Sequence, residues 1–134
     1  MNLLLDTHIA LRALYDPGAL SQAATALLQS LEHELLVSDA SIWEVAIKHA
    51  KRPADIQAPP QEFHADLLAA GWTIAPISTA AVLGTHALPP IHGDPFDRLL
   101  IAQAQAQDLH LVSADQMIAQ YQPALGTPER ILVV

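Results

Sequence analysis

Five short apolar runs recur along this chain, and between them the apolar residues switch to the spacing of a helix face. The runs are Asn2–Leu5, Glu34–Ser38, Trp72–Ile77, Leu109–Ser113 and Arg130–Val134. Each is short for a helix and suits a strand buried on both faces. Helical patterns fill the gaps. Thr7–Leu14 comes first, then Ser21–Leu31 with Ala24, Leu27, Leu28 and Leu31 on one face. Asp39–Lys51 follows, with Ile42, Val45, Ala46 and His49 or Ala50 along one stripe. A helix opening at Pro60 or Gln61 ends near Gly71, a suitable C-cap. Ser78–Leu88, Pro95 to about Gln107 and Ala114–Gln120 complete the set. Strands alternating with helices imply an α/β architecture, a mostly parallel sheet covered by helices on both faces. No repeat, low-complexity tract or long linker divides the 134 residues, so the expectation is one domain over 1–134.

Composition narrows the function classes. The chain is 51% hydrophobic and has no cysteine, which argues against disorder and excludes disulfides and thiolate zinc sites. Leu67–Gly93 carries no charged side chain, but Gly71, Pro76, Gly84, Pro89 and Pro90 interrupt it. No apolar run approaches the ~20 residues of a membrane span. The opening MNLLLD lacks a basic region ahead of its leucines, unlike a secretion signal. The expectation is a soluble, cytoplasmic protein. Six basic against fourteen acidic residues give a formal charge of −8, which excludes a general nucleic-acid coat. It leaves room for an enzyme that gathers acids at a metal site. Lys48, Lys51 and Arg52 form one basic cluster with His49, read as a solvated helix end.

The acids fall at informative places. In HGDPFDR, Asp94 and Asp97 stand at the mouth of an apolar helix. Asp94 suits an N-cap with Pro95 at the first helical position, and Asp97 lies near the positive end of the helix dipole. Asp6 follows the first strand, Glu44 lies just over a turn into the helix after the second, and Asp115 follows Leu109–Ser113. Each has a structural explanation alone. Ser41 with Glu44 and Ser113 with Gln116 have capping-box spacing, and Asp6 can cap the first helix. Together they gather beyond the carboxyl ends of parallel strands, where functional groups of such sheets collect. Carboxylates crowded there repel unless a cation neutralises them, and an all-oxygen set suits Mg²⁺ or Mn²⁺ rather than zinc.

The stretches LLLDTHIALRAL, VSDASIWEVAIKHAKR, LPPIHGDPFDRLLIAQA and LHLVSAD resemble, in order, the successive motifs of PIN-domain proteins, above all the VapC-type toxins of bacterial type II toxin–antitoxin pairs. The resemblance implies a PIN-like three-layer α/β/α fold around a five-stranded parallel sheet. It implies a metal-dependent endoribonuclease that uses Mg²⁺, with Mn²⁺ able to substitute. The family's four acids fall on Asp6, Glu44, Asp97 and Asp115, as metal ligands and catalytic groups. Asp94 is extra to the four; it and Thr7 are expected to support the ligands. The implied partners are an RNA substrate, a cognate antitoxin and a second copy in a homodimer. Two ions acting on an in-line phosphodiester attack would be the chemistry.

Rival readings exist. A phosphatase with Asp6 as nucleophile, in the manner of haloacid-dehalogenase-like enzymes, calls for an Asp where this chain has His8. A non-catalytic interaction module whose acids only cap helices is distinguished by metal titration. The seven histidines form no ligand motif; only His8 and His92 lie near the acids, and ordinary packing or exposure is the expectation for both. Trp43 and Ile42 are expected in the core. Arg12 and Arg98 are the cations placed to hold RNA.

Overall fold

A computed structural model describes residues 1–134. Strands β1 (Asn2–Leu5), β2 (Glu34–Ser38), β3 (Thr73–Ala75), β4 (His110–Ser113) and β5 (Ile131–Val133) form one sheet in the order β3-β2-β1-β4-β5. Every neighbouring pair is parallel, so the mostly parallel expectation is met by a wholly parallel sheet. The main helices are α1 (Thr7–Tyr15), α2 (Gln22–Gln29), α3 (Asp39–Lys51), α4 (Pro60–Ala69), α5 (Thr79–Gly84) and α6 (Pro95–Ala106). Two short ones follow, α7 (Gln116–Ala119) and α8 (Gln122–Leu125).

The central strand explains the layering. Leu3, Leu4 and Leu5 are all fully buried, and alternate side chains point to opposite faces. Leu4 joins Leu111, Ile131, Leu100, Ile101 and Tyr121 in one core. Leu3 and Leu5 join Val37, Val112, Ile9 and Phe63 in the other. A continuous leucine run therefore serves two cores at once. At the end of α4, Gly71 adopts φ +82°, and its N–H reaches the Leu68 carbonyl at 3.0 Å. This is the left-handed helix end its position predicts.

Three helix expectations need correction. Helix α2 stops at Gln29, so Leu31 lies beyond it and is fully exposed. The buried face of α3 is Ala40, Ser41, Glu44 and Val45, rotated from the predicted apolar stripe because it includes polar residues. Trp43 consequently stands 59% exposed instead of in the core, its ring edge-on to Phe96 at 5.2 Å between centroids. Ile42 keeps a half-buried place against the core.

The strand order creates the site. From β1 the chain goes to β2 and β3 on one side, then crosses to β4 on the other. The order reverses between β1 and β4, which opens a crevice at their carboxyl ends. The segment leading into α6 is fixed there by Arg98. One guanidinium nitrogen donates to the Pro89 carbonyl (2.8 Å) and the Tyr121 hydroxyl (3.0 Å). The other donates to the carbonyls of Thr85 (3.0 Å) and Leu88 (3.2 Å). Arg98 is thus a clamp for its own chain, which corrects its expected role as an RNA contact. Replacing Arg98 with Met leaves these partners unsatisfied and is expected to cost about 2–3 kcal/mol in urea unfolding. Arg98→Lys should recover only part, because an ammonium lacks the planar fork. Wild-type stability in Arg98→Met would show that the clamp carries no weight.

Candidate metal centre

Asp6 leaves β1 at the crevice. Its backbone N–H continues the sheet to the Val112 carbonyl at 2.9 Å, and its side chain turns inward, only 4% exposed. One carboxylate oxygen accepts a long hydrogen bond from the His8 N–H at 3.4 Å, so the cap role is real but weak. The other accepts from the Ser113 hydroxyl at 2.6 Å. Burial pushes the Asp6 pKa up, the hydrogen bonds from Ser113 and His8 pull against it, and the charge of Glu44 adds to the rise.

Glu44 arrives from α3 and is equally buried, 3% exposed. Its carboxylate meets the Lys48 ammonium one turn on, at 2.5 Å. Burial lowers the Lys48 pKa, but the hydrogen bond and charge of Glu44, then Asp94 and Asp97, more than offset this and raise it overall. Lys48 is therefore directed at the acids rather than belonging wholly to a solvated helix end. The predicted capping box does not form. Ser38 caps α3 through the Ala40 N–H (3.0 Å), while Ser41 accepts the Thr7 hydroxyl at 2.8 Å. Thr7 therefore supports α3 through Ser41, and makes no hydrogen bond to an acid of the site.

Asp94 takes the cap position that HGDPFDR predicts for it. Asp94 caps α6, accepting from the N–H groups of Phe96 (2.8 Å) and Asp97 (3.3 Å) through one oxygen. Asp97 faces the other acids. Burial, then the charges of Asp94 and Asp6, push its pKa up to about 7; a hydrogen bond from His92 opposes the rise, and Glu44 adds a smaller push. The His92 Nε2 stands 2.9 Å from an Asp97 oxygen. This overturns the expectation of ordinary packing or exposure for His92. Spacing alone hides the contact, because a loop with Gly93 and Asp94 separates the partners; the usable signal was a histidine just ahead of two acids.

Asp115 follows β4 and is half-buried. It caps α7 through the Met117 N–H at 2.8 Å, and its own N–H donates to the Ser113 hydroxyl at 3.0 Å. Ser113 thus joins Asp6 to Asp115, a bridge where sequence spacing suggested a capping box. With His8 and Arg12, both acids line a cleft of about 160 Å³. Asp6, Glu44 and Asp97 share one electrostatic field and Asp94 borders it, whereas Asp115 is tied to Asp6 only by its backbone N–H on Ser113, its carboxylate being turned to the start of α7.

The donors fit a divalent cation. Oxygen ligands predominate, and burial together with the charges of neighbouring acids raises the pKa of the buried Asp6 and the half-buried Asp97, a penalty that a divalent cation would relieve. The consequence for stability has a definite sign. Folding raises the Asp97 pKa from 3.8 to about 7, so the folded state binds a proton that the unfolded chain releases. Metal-free stability is therefore greatest below that window and falls as pH rises through it. Asp97→Asn should flatten the fall in urea titrations at successive pH values, with Asp6 leaving a residual slope. Stability that rises over that window in the metal-free wild type would contradict the assignment.

Comparison with known proteins gives a consistent picture. Residues 3–122 match the family model for the PIN domain. The chain is similar to the VapBC2 structure from Rickettsia felis bound to a promoter DNA fragment, with TM-score 0.65 at 16% identity over 90% of this chain and 93% of that one. It is similar to a toxin–antitoxin complex from Klebsiella pneumoniae, with TM-score 0.60 at 19% identity over 98% of this chain and 96% of the other. A DNA-bound VapBC structure from Salmonella typhimurium gives TM-score 0.63 at 14% identity, over 99% and 98% of the two chains. The search of curated proteins returns no match.

Proposed function

We propose, from the premise that this chain belongs to the PIN-domain family, that it is a metal-dependent endoribonuclease acting as the toxin of a type II toxin–antitoxin pair. The observation that carries this reading is the convergence of Asp6, Glu44 and Asp97 in one field at the sheet's switch point. Similarity in fold to toxin–antitoxin complexes supports the toxin role and a cognate antitoxin as partner. An anionic pocket suits a basic antitoxin segment. A homodimer is the expected assembly, over the single domain 1–134.

In this reading Asp6 and Asp97 are the principal ligands of Mg²⁺, with Mn²⁺ as substitute, and Glu44 and Asp115 complete the set. A divalent ion held there supplies charge stabilisation for a phosphodiester and a water nucleophile usable at neutral pH. The chain's own residues do the positioning. Ser113 fixes the rotamer of Asp6 and ties it to Asp115. Asp94 presents Asp97 by starting α6. Lys48 keeps Glu44 compensated. Arg12 shares the cleft with Asp6 and Asp115, and in this reading it would meet the phosphate backbone.

Purified protein incubated with structured RNAs should cleave only when Mg²⁺ is present. Asp6→Asn and Asp97→Asn should each abolish cleavage and keep the fold, and neither should arrest bacterial growth when expressed alone. Full activity in one variant removes that residue from the set. Inactivity of the wild type on every RNA would instead favour the interaction module. Metal at a hundredfold excess over Kd should stabilise the wild type by about 2.7 kcal/mol. With Ca²⁺ replacing Mg²⁺ to suppress cleavage, Arg12→Gln should flatten the log–log salt dependence of RNA binding by roughly 0.7 per lost phosphate contact. Arg52→Gln should not, since Arg52 pairs loosely with Asp55 at 3.8 Å away from the cleft.

A further inference from the structure

We propose that His92, Asp94 and Asp97 form a three-point ligand set whose imidazole nitrogen makes this centre favour Mn²⁺ over Mg²⁺. The inference rests on the metal-binding half of the reading above and is independent of whether RNA is the substrate. One potential ligand atom from each residue lies within 4.8 Å of the others, a spacing open to one ion at the centre. The division of oxygens favours it too. Asp94 uses one oxygen to cap α6 and has no hydrogen bond on the other. The His92 Nε2 is already aimed at an Asp97 oxygen at 2.9 Å, so two donors stand on the same side of the α6 terminus.

His92 is also held in place. Its N–H donates to the Tyr121 hydroxyl at 2.8 Å, and that hydroxyl stands 3.1 Å from its carbonyl. Tyr121 is fully buried and receives a further hydrogen bond from Arg98 at 3.0 Å. The loop before Asp94 is thus pinned at the histidine itself. A donor whose backbone is fixed loses less freedom on ligation than one on an open loop. Burial supports the site as well, since the side chains of His92 and Asp97 are 25% and 14% exposed.

The chemistry of the added nitrogen sets the preference. Mg²⁺ favours oxygen and retains several waters, whereas first-row transition ions accept imidazole readily. The expected all-oxygen set gave no reason to separate Mg²⁺ from Mn²⁺. A nitrogen ligand gives one.

The test is metal binding by the full chain without RNA, using Mn²⁺ and Mg²⁺ alone as probes. Calorimetry should show Mn²⁺ binding at least about tenfold more tightly than Mg²⁺. Pulsed electron paramagnetic resonance of the Mn²⁺ form should show coupling to an imidazole nitrogen. His92→Gln should abolish that coupling and bring the two affinities together, while His8→Gln, the control for the other histidine near the acids, should retain both features. Asp94→Ser keeps a helix-capping side chain but removes the carboxylate, so it should fold and weaken Mn²⁺ binding by about tenfold or more. Absence of nitrogen coupling in the wild type, or its survival in His92→Gln, overturns the role of His92. Unchanged affinity in Asp94→Ser overturns the three-point set. RNA cleavage without nitrogen coupling sinks this inference alone; nitrogen coupling without cleavage of any RNA sinks the nuclease reading and leaves the ligand set standing.

Discussion

Carboxylates brought together out of water are the constraint around which the rest of this chain is arranged. Asp6 and Glu44 are each almost wholly buried, and Asp97 faces both. Burying one unpaired carboxylate costs several kcal/mol, and a second raises the cost by repulsion. The chain offsets this separately at each acid. Asp6 receives a hydroxyl donor from Ser113, Glu44 an ammonium from Lys48 and Asp97 an imidazole from His92. None supplies a full divalent charge, and burial, with repulsion from neighbouring acids, leaves the pKa of Asp6 and Asp97 raised. A scaffold whose acids only cap helices has no need to bury them. Asp6 makes a long cap bond at 3.4 Å, and Glu44 caps nothing.

The acids can be held this way because the elements carrying them are tied together at the same edge. β1 and β4 are neighbours, so Asp6 and Ser113 meet although they lie far apart in sequence. Thr7 and Ser41 join the starts of α1 and α3 by a buried hydroxyl pair. Arg98 and Tyr121 join the start of α6 to the segment before it and to the chain ahead of α8. Gln103, fully buried on α6, donates to the carbonyls of Ala75 and Pro76 and ties that helix to the end of β3. These polar links lie at or near the carboxyl ends of the strands, whereas the two apolar cores fill the interior along the leucines of β1. Apolar burial supplies the bulk of the stability, and directional hydrogen bonds fix the positions of charged groups.

Much of the fold was legible in the sequence because strand identity rests on short-range pattern. LLLD, ELLVS and HLVS are apolar runs that end at polar turn residues, and each is a strand in the structure. Asp94 as the cap of α6 was legible for the same reason, since N-cap chemistry is local. What failed involved polar groups facing inward. The apolar spacing of α3 points to Ile42, Val45, Ala46 and His49 or Ala50 as the core face; Ser41 and Glu44 face inward at the site instead, and Trp43 turns outward as a result. Arg98 looked like a surface cation because its partners are backbone carbonyls, which leave no trace in composition. The contact between His92 and Asp97 depends on how a loop closes, and Tyr121 settles that from a distant part of the chain.

Net charge acts on a different length scale from the site. A formal net charge of −8 opposes nonspecific attraction to a polyanion. Within a Debye length of about 8–10 Å, the balance depends on which groups line the approach and not on the total. Arg12 stands in the cleft beside Asp6 and Asp115, and Lys48 is directed at Glu44. Of the chain's six basic residues, these two lie among the acids, while Arg98 is bound to carbonyls and Arg130 to Asp108. A proposed RNA substrate would therefore meet little general attraction. It would depend on a bound divalent ion to reverse the sign of the pocket, and that requirement makes local cations, rather than overall charge, the feature that separates binding from repulsion.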